Sequence, residues 1–388
     1  MAMAPVLLVS LLLHAFVAWR VAPDLASVNT LLGWALGGLL LLSALLLPMG
    51  LMARLVTKPP LSEILTWLGL LCMGLFSSLF VLTLLREIAL IVAYGVDWLW
   101  PATGALASLR VPSALALPML GLLVTAWGFW NARRTAAVVR VDVPIANLPA
   151  ALHGFTVAQI SDIHVGPTIK SRYLARIVAR VNGLGADMVA ITGDLVDGTV
   201  HELREHVAPL KALTSTHGTF FVTGNHEYYS GAHAWIDMLR GLGVQVLMNE
   251  HVVIHHNTDT QDPEQAMMVV AGVTDFGAHH FDESHRSDPQ GALLDAPPQA
   301  LFKLLLAHQP RSAVAAAQAG FDLQLSGHTH GGQFWPWNHF VKLQQPFTAG
   351  LHKLQSLWVY TSRGTGYWGP PKRFGAPSEI THLRLVRA

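Results

Sequence analysis

The stretch FTVAQISDIH, residues 155–164, joins a short apolar run to a polar corner that carries Asp162 and His164. Apolar runs of this length, bounded by turn residues, are typical of buried strands. Polar side chains placed just after a strand lie at the edge of its sheet. Four later stretches repeat the arrangement, each an apolar run followed by a polar motif: residues 188–191 before GDLVD (193–197), 220–222 before GNHE (224–227), 301–306 before AHQ (307–309), and 323–325 before GHTHGG (327–332).

Helix-like stretches separate these runs. The alternation of strands and helices predicts a layered α/β or αββα domain, with the polar motifs gathered at the carboxyl ends of the strands. Two polar segments, residues 255–265 and 277–298, have the composition of loops; they either cover the site or face solvent as insertions, and the second interpretation is favoured. The predicted helices cover residues 171–184, 202–213, 232–242 and 312–319.

The five motifs supply oxygen and imidazole nitrogen ligands, with no sulfur among them. Carboxylate, amide and imidazole donors suit divalent ions such as Mn, Fe(II) and Zn. Paired ions of this kind typically sit about 3.5 to 4 Å apart and clamp a phosphoryl group during in-line attack. The motifs therefore predict two adjacent divalent metal ions and metal-assisted phosphoester hydrolysis.

From about residue 137 onward, the order of the motifs resembles the calcineurin-like metallophosphoesterase family, whose pattern reads DxH, GDxxD, GNH[DE], a lone His and GHxH. Any one of these motifs is weak evidence, because short patterns occur by chance. All five in the same order over one domain are strong evidence, since each fills a distinct chemical position. The resemblance implies an αββα sandwich, in which two facing sheets are flanked by helices.

The resemblance also implies a ligand set for two divalent ions, which would be Mn, Fe or Zn. Asp194 would bridge the ions, and a shared carboxylate suits that position because it offsets the repulsion between two dications. In an extended loop, His328 and His330 would point to different sides and reach both ions. The first ion would be held by Asp162, His164 and His330, and the second by Asn225, His308 and His328.

By the same resemblance, His226 would protonate the leaving alkoxide, Asp197 would orient His226, and a metal-bound hydroxide would be the nucleophile. Two other roles stay open: His226 as a positioning residue and Asp197 as a cap of the following helix. Arg363 is a candidate contact for a substrate phosphate, because its planar guanidinium can bind two oxygens. For the pairs His279-His280 and His255-His256, surface or structural roles are favoured.

The N-terminal third of the chain has a different composition, with few charges in residues 1–130. Four apolar stretches approach or exceed the roughly 20 residues that a helix needs to cross a bilayer. They predict an all-α transmembrane bundle over residues 1–135, followed by the catalytic domain over 136–388. The first stretch is interpreted as an anchor rather than a signal peptide, because it lacks a basic start and a clear cleavage site. The stretches are residues 6–19 with their flanks, 31–55, 64–85 and 114–130.

The segment 88–100 either extends the third helix or lies along the membrane interface, and a fifth span is the less favoured interpretation. With a cytoplasmic N-terminus, Arg54, Lys58, Arg133 and Arg134 would all lie inside. This bias favours an inner or plasma membrane protein with a cytoplasmic catalytic domain. The formal net charge of +1 gives no indication of nucleic-acid binding.

Protein serine/threonine phosphatases of this superfamily carry arginine directly after the second aspartate of GDxxD, where this chain has Gly198. A phosphoprotein substrate is therefore disfavoured. The chain looks most like the membrane-bound branch of the family, which includes phosphodiesterases and hydrolases of the UDP-2,3-diacylglucosamine type. The leading hypothesis is a membrane-anchored phosphodiesterase or pyrophosphatase with a lipid-linked substrate. A soluble small phosphoester is the alternative, and a noncatalytic metal-stabilised scaffold is disfavoured because every expected ligand is present.

Overall fold

The computed structural model describes residues 3–256 and 267–388, and these form two compact units. A helical unit comprises the chain up to Asn131 together with the segment Gly369–Phe374. A catalytic unit comprises Ala132–Trp368 and Gly375–Ala388. We retain residues 1–135 and 136–388 as the proposed domain boundaries.

Among the described residues, the helical unit contains four helices that are long and apolar enough to cross a membrane. This confirms the predicted bundle. The third helix is continuous from residue 88 to its end at Leu99, so the segment 88–100 extends it and forms no separate span. The helices are α1 (Met3–Ala26), α2 (Thr30–Val56), α3 (Leu61–Leu99) and α4 (Ala105–Arg133).

Arg86 of α3 is buried in the helical unit, and its charge is paired there. The guanidinium donates to the carboxylate of Asp24 on α1 and to the backbone carbonyl of Arg20 at 2.9 Å. It also donates to the backbone carbonyl of Arg110 on α4 at 3.0 Å. An ionisable residue among apolar helices requires partners of this kind.

The segment Gly369–Phe374 packs within the helical unit although it lies far along the chain. Lys372 Nζ donates to the carbonyl oxygen of Gly74 at 2.9 Å and to the hydroxyl of Ser78 at 2.6 Å. The backbone N–H of Arg373 donates to the carbonyl oxygen of Gly128 at 2.9 Å. This segment of the helical unit begins directly after Trp368, and nothing in the amino-acid composition predicted it.

In its described residues, the catalytic unit is built on two six-stranded sheets. In spatial order the first is β1-β12-β2-β3-β4-β5 and the second is β10-β11-β9-β8-β7-β6. The strands are β1 (Ala137–Ile145), β2 (Thr156–Ile160), β3 (Met188–Ile191), β4 (Thr219–Phe221), β5 (Gln245–Val246), β6 (Glu250–His255), β7 (Met267–Gly272), β8 (Lys303–Leu306), β9 (Leu323–Ser326), β10 (Gly350–Leu354), β11 (Leu357–Thr361) and β12 (Glu379–Arg387).

Buried side chains from both sheets form one core between them, in which Val157 and Phe220 of the first sheet meet Leu304 and Leu325 of the second. Helices cover the outer face of each sheet, so that the layers read α, β, β, α. The predicted αββα fold is confirmed. The helices of this unit are α5 (Ser171–Asn182), α6 (Val200–Val207), α7 (Asn225–Ser230), α8 (Ala232–Gly241) and α9 (Ala313–Ala319).

Local details differ from the sequence prediction. The predicted helix 202–213 ends at Val207 and continues as the 3₁₀ turn Ala208–Ala212, which begins just before Pro209. The loop 277–298 contains three 3₁₀ turns. Of the segment 255–265, residues 257 onward lie outside the described residues.

Candidate metal centre and catalytic site

The polar motifs follow β2, β3, β4, β8 and β9, and the loops that carry them turn sharply. The segment around His328 and His330 is not extended as predicted, because both residues have positive φ, at 70° and 51°. Asp, Asn and His adopt this left-handed region more readily than other residues with side chains. Five of the seven predicted metal ligands have it: Asp162, His164, Asp194, His328 and His330.

The predicted ligands of the first ion lie together. The Nε2 atoms of His164 and His330 are 3.0 Å apart, and His330 Nε2 is 3.5 Å from Asp162 Oδ1. Burial raises the pKa of Asp162. All three side chains are buried, and they place a carboxylate and two imidazoles around one point.

The predicted ligands of the second ion also meet. His328 Nδ1 lies 3.1 Å from Asn225 Oδ1 and 3.2 Å from His308 Nε2. Burial and the neighbouring His308 lower the pKa of His328 to about 3, which keeps its ring neutral. A neutral imidazole is the form that binds metal ions.

Asp194 lies between the two groups. Its Oδ2 atom is 3.9 Å from His164 Nε2 of the first group and 3.2 Å from His308 Nε2 of the second. Burial opposes the ionisation of Asp194, but His308 and His226 outweigh it and hold its pKa well below the usual value. A Cβ atom at Gly224 would collide with Asp194 Oδ1, so this approach requires glycine.

The donor chemistry of His308 fits a cation at this position. Its Nδ1 lies 2.7 Å from the carbonyl oxygen of Thr192, which can only accept a hydrogen bond. In the neutral ring, Nε2 therefore presents a lone pair to the carboxylate of Asp194. Two electron-rich groups in contact repel unless a positive charge lies between them. Burial lowers the pKa of His308, but Asp194 outweighs this and raises the pKa well above its usual value, which reflects the same demand for positive charge.

His226 and Asp197 form a hydrogen-bonded pair at the edge of this centre. His226 Nδ1 lies 2.6 Å from Asp197 Oδ1, and the same oxygen is 3.0 Å from His164 Nδ1. Burial lowers the pKa of His226, but Asp194 and Asp197 outweigh it and raise the pKa to about 9. The helix after Asp197 is capped instead by Thr199. Asp197 therefore contacts two imidazoles of the centre, and its predicted role in orienting His226 stays a prediction.

Glu227 has a structural role that sequence reasoning missed. Its fully buried carboxylate accepts backbone N–H groups from both neighbouring motifs: Gly224 at 2.7 Å, Asp194 at 3.0 Å and Leu195 at 2.8 Å. Burial raises the pKa of Glu227 to about 7. The last position of the GNHE motif was the available signal, since only an acceptor with two oxygens can bind both loops.

We expect Glu227→Gln to weaken metal binding by about 10- to 100-fold, the usual effect of losing a group that positions the ligands. The amide nitrogen would face backbone donors, and each buried N–H without an acceptor costs about 1 to 3 kcal/mol. Metal content after dialysis and the melting temperature both report the change. The matched control is Glu202→Gln, because exposed Glu202 also accepts a backbone N–H, that of Thr199. If both variants retain metal equally well, the role of Glu227 is wrong.

Arg363 lies beside the centre but is paired. Its Nη1 atom donates to Glu379 Oε2 at 2.7 Å, and its stem lies next to Gly331 of the GHTHGG motif. The predicted phosphate contact stays a prediction. The rings of His279 and His280 contact each other in a tilted arrangement with centroids 4.0 Å apart, and the ring of His256 contacts Phe155 edge-on.

Exposed aromatic residues surround His226, and the sequence analysis missed them. The rings of Tyr229 and Trp368 lie 5.3 and 5.9 Å from the His226 ring, and Phe281 lies 5.5 Å from Tyr229. The side chain of Gln333 fixes Trp368, since it accepts the backbone N–H at 2.9 Å and donates to the carbonyl at 2.8 Å. We call Tyr229, Phe281 and Trp368 the aromatic rim; each is more than half exposed.

Comparison with known proteins supplies a family. The profile of the calcineurin-like phosphoesterases matches residues 155–332. A bovine "transmembrane protein with metallophosphoesterase domain" is 41% identical over 300 residues, which cover 74% of this chain and 67% of the relative. Its zebrafish counterpart is 37% identical over 279 residues, 70% of this chain and 63% of that one. An uncharacterized metallophosphoesterase of Campylobacter jejuni is 35% identical over 278 residues, 71% and 70% of the two chains.

Proposed function

The chain belongs to the calcineurin-like metallophosphoesterases and is a metal-dependent phosphoester hydrolase of the membrane; from this premise we propose that it cleaves a phosphodiester or pyrophosphate bond in a lipid-linked substrate. The observation that carries the chemistry is the approach of both ligand groups to the single carboxylate of Asp194. The ligand set suits Mn, Fe(II) or Zn.

Each group of ligands holds one ion in this proposal. Bound divalent ions polarise the phosphoryl group and lower the pKa of water towards neutrality. Asp194 would be available to both ions. The first ion would be held by Asp162, His164 and His330, and the second by Asn225, His308 and His328.

His226 acts as the proton donor to the leaving oxygen. Its Nδ1 atom is engaged by Asp197, which fixes the ring so that Nε2 points towards the centre, 4.0 Å from Asp194 Oδ2. A positioned imidazole of this kind typically contributes about 10²- to 10⁴-fold to the rate. Asp197 acts through His226 and is a positioning residue.

The aromatic rim supports the lipid-linked substrate. A leaving group protonated by His226 would pass Tyr229 and Trp368, whose exposed faces suit an apolar chain better than a small hydrated alcohol. The membrane spans keep the enzyme near such substrates. Hydrolysis of a soluble small phosphoester is the second candidate, and relation to UDP-2,3-diacylglucosamine hydrolases stays a prediction.

The test uses the full-length protein, a membrane lipid extract and a small aliphatic diester. Phosphate-containing products of the extract, followed by mass spectrometry, should appear with Mn(II) and vanish with a chelator. Trp368→Ala should slow lipid turnover about tenfold, since an aromatic contact is worth about 0.5 to 1.5 kcal/mol beyond the area it buries. Turnover of the small diester should fall by less than about twofold, because its short leaving group covers little of the rim.

The control is Phe340→Ala, which removes an exposed aromatic residue that packs on Trp337 rather than on His226. It should leave both substrates unaffected. If Trp368→Ala slows turnover of both substrates equally, the lipid-linked substrate is excluded and the soluble phosphoester becomes the leading candidate.

We place the catalytic unit on the cytoplasmic face, following the bias of Arg54, Lys58, Arg133 and Arg134. Reporter fusions after Arg134 should be active only with a reporter that requires the cytoplasm. Fusions after Val28, between α1 and α2, should give the opposite result and serve as the control. If a reporter that is active only after export works when fused after Arg134, the cytoplasmic placement of the catalytic unit is wrong.

A further inference from the structure

A second group of metal-binding residue types lies apart from the dimetal centre. His233, Asp282 and His285 each place one ligand atom within 4.8 Å of the others. His233 Nε2 is 3.0 Å from Asp282 Oδ2, and His285 Nε2 is 4.0 Å from the same oxygen. The proposed function makes no use of these side chains.

In two of these residues, Asp282 and His285, the second polar atom of the side chain forms a different hydrogen bond. The first polar atom of each is therefore directed to a common point. Asp282 Oδ1 accepts the backbone N–H of Ser284 at 3.0 Å and its hydroxyl at 2.6 Å, leaving Oδ2 for the histidines. His285 Nδ1 lies 2.9 Å from the hydroxyl of Tyr228. The tautomer that donates from Nδ1 leaves a lone pair on Nε2. Metal-binding histidines are commonly oriented by a second hydrogen bond of this kind.

We propose that His233, Asp282 and His285 form a third metal site, which binds a zinc-type dication with solvent completing the coordination. Two imidazoles and one carboxylate are a common ligand set for zinc, and the ligands are typically about 2.0 to 2.2 Å from the ion. The three ligand atoms need to move only slightly to surround one ion. The side chain of His233 is 71% exposed and that of His285 is 15% exposed, so the site opens to solvent on one side.

Occupation of this site would tie two segments together beside the aromatic rim. His233 lies in the first turn of α8, whereas Asp282 and His285 lie in the loop 277–298. Phe281, the neighbour of Asp282, packs on Tyr229, and Tyr229 packs on His226. A bound ion would therefore fix the loop that presents Phe281 to the rim.

The first measurement is metal stoichiometry of the full-length protein. After chelation and dialysis against buffered zinc, the unaltered protein should bind three equivalents, the dimetal pair and one more. His233→Ala and His285→Ala should each bind two, with affinity at the third site falling by more than about 100-fold, since loss of a ligand exceeds loss of a supporting group. The matched control is His280→Ala, which removes a nearby histidine outside the group and should leave three equivalents.

The second measurement separates this site from the dimetal centre. Asp194→Asn should lose the central ions and still bind zinc at His233, Asp282 and His285. In that background, zinc should slow hydrogen exchange of the loop 277–298, and His285→Ala should abolish the effect. Two equivalents in the unaltered protein, or retention of three by both cluster variants, would show that these residues form only a hydrogen-bonded cluster.

Discussion

Asp194→Asn should reduce kcat/KM for a chromogenic phosphodiester by more than about 100-fold in the presence of Mn(II). The substitution removes a negative charge that two ions would share, and this loss is larger than the loss of a group that only supports a ligand. The carboxylate lies 3.9 Å from His164 of one set of ligands and 3.2 Å from His308 of the other. The asparagine side chain has nearly the same size as the aspartate side chain but carries no negative charge. Less metal should also be retained after dialysis.

The matched control for this change is Asp142→Asn. Asp142 is exposed on β1 and pairs with Arg384 at 2.7 Å, so its loss should change the rate by less than about twofold. Removal of metal by a chelator should abolish turnover by the unaltered protein, and Mn(II) should restore it. Full activity of Asp194→Asn, or turnover that persists in chelator, would exclude the dimetal mechanism.

His226→Ala should lower kcat by about 10²- to 10⁴-fold while the protein retains its metal. His226 is bonded to Asp197 and lies next to the centre, but the proposed ions are held by other side chains. The loss should be largest for esters with poor leaving groups, which need protonation, and should shrink for nitrophenol esters. A series of diesters with leaving groups of graded pKa measures this dependence.

Asp197→Asn should show the same trend with a smaller loss, because the imidazole remains and only its orientation is weakened. His280→Ala provides the control, since that ring contacts His279 and not His226. Equal losses across the whole series of leaving groups would mean that His226 positions the substrate and does not donate the proton.

The ligand-bearing strands were predictable because each is a continuous apolar run that ends in a polar motif. Strand β3 has the predicted bounds, Met188–Ile191, since all four of its residues are buried between two layers. Strand β1 had no such signal, because it alternates in burial at the edge of its sheet and pairs with β12 from the far end of the chain. Pairing of that kind depends on tertiary structure.

The site shows the same division. The meeting of these motifs at one place could be predicted, since each of them directly follows a strand. The ligand roles themselves stay a prediction. The contacts of Glu227 with two loops and the position of Trp368 at the rim could not be predicted, because both depend on which loops meet. The turn at His328 also differed from the predicted extended loop. Its backbone N–H donates to Asp162 at 2.9 Å, a contact between distant parts of the chain that the local sequence does not reveal.

The left-handed backbone at five ligands limits how the centre can change during evolution. The left-handed conformation costs a residue with a side chain roughly 1 to 2 kcal/mol of free energy, and Asp and His tolerate it better than most. A residue that replaces Asp162 or Asp194 must therefore supply a suitable donor atom and also tolerate the left-handed backbone. Glutamate keeps the carboxylate but tolerates this backbone less well. Shifts in metal preference are consequently more accessible at Asn225 and His308, where φ is ordinary, than at the five left-handed positions.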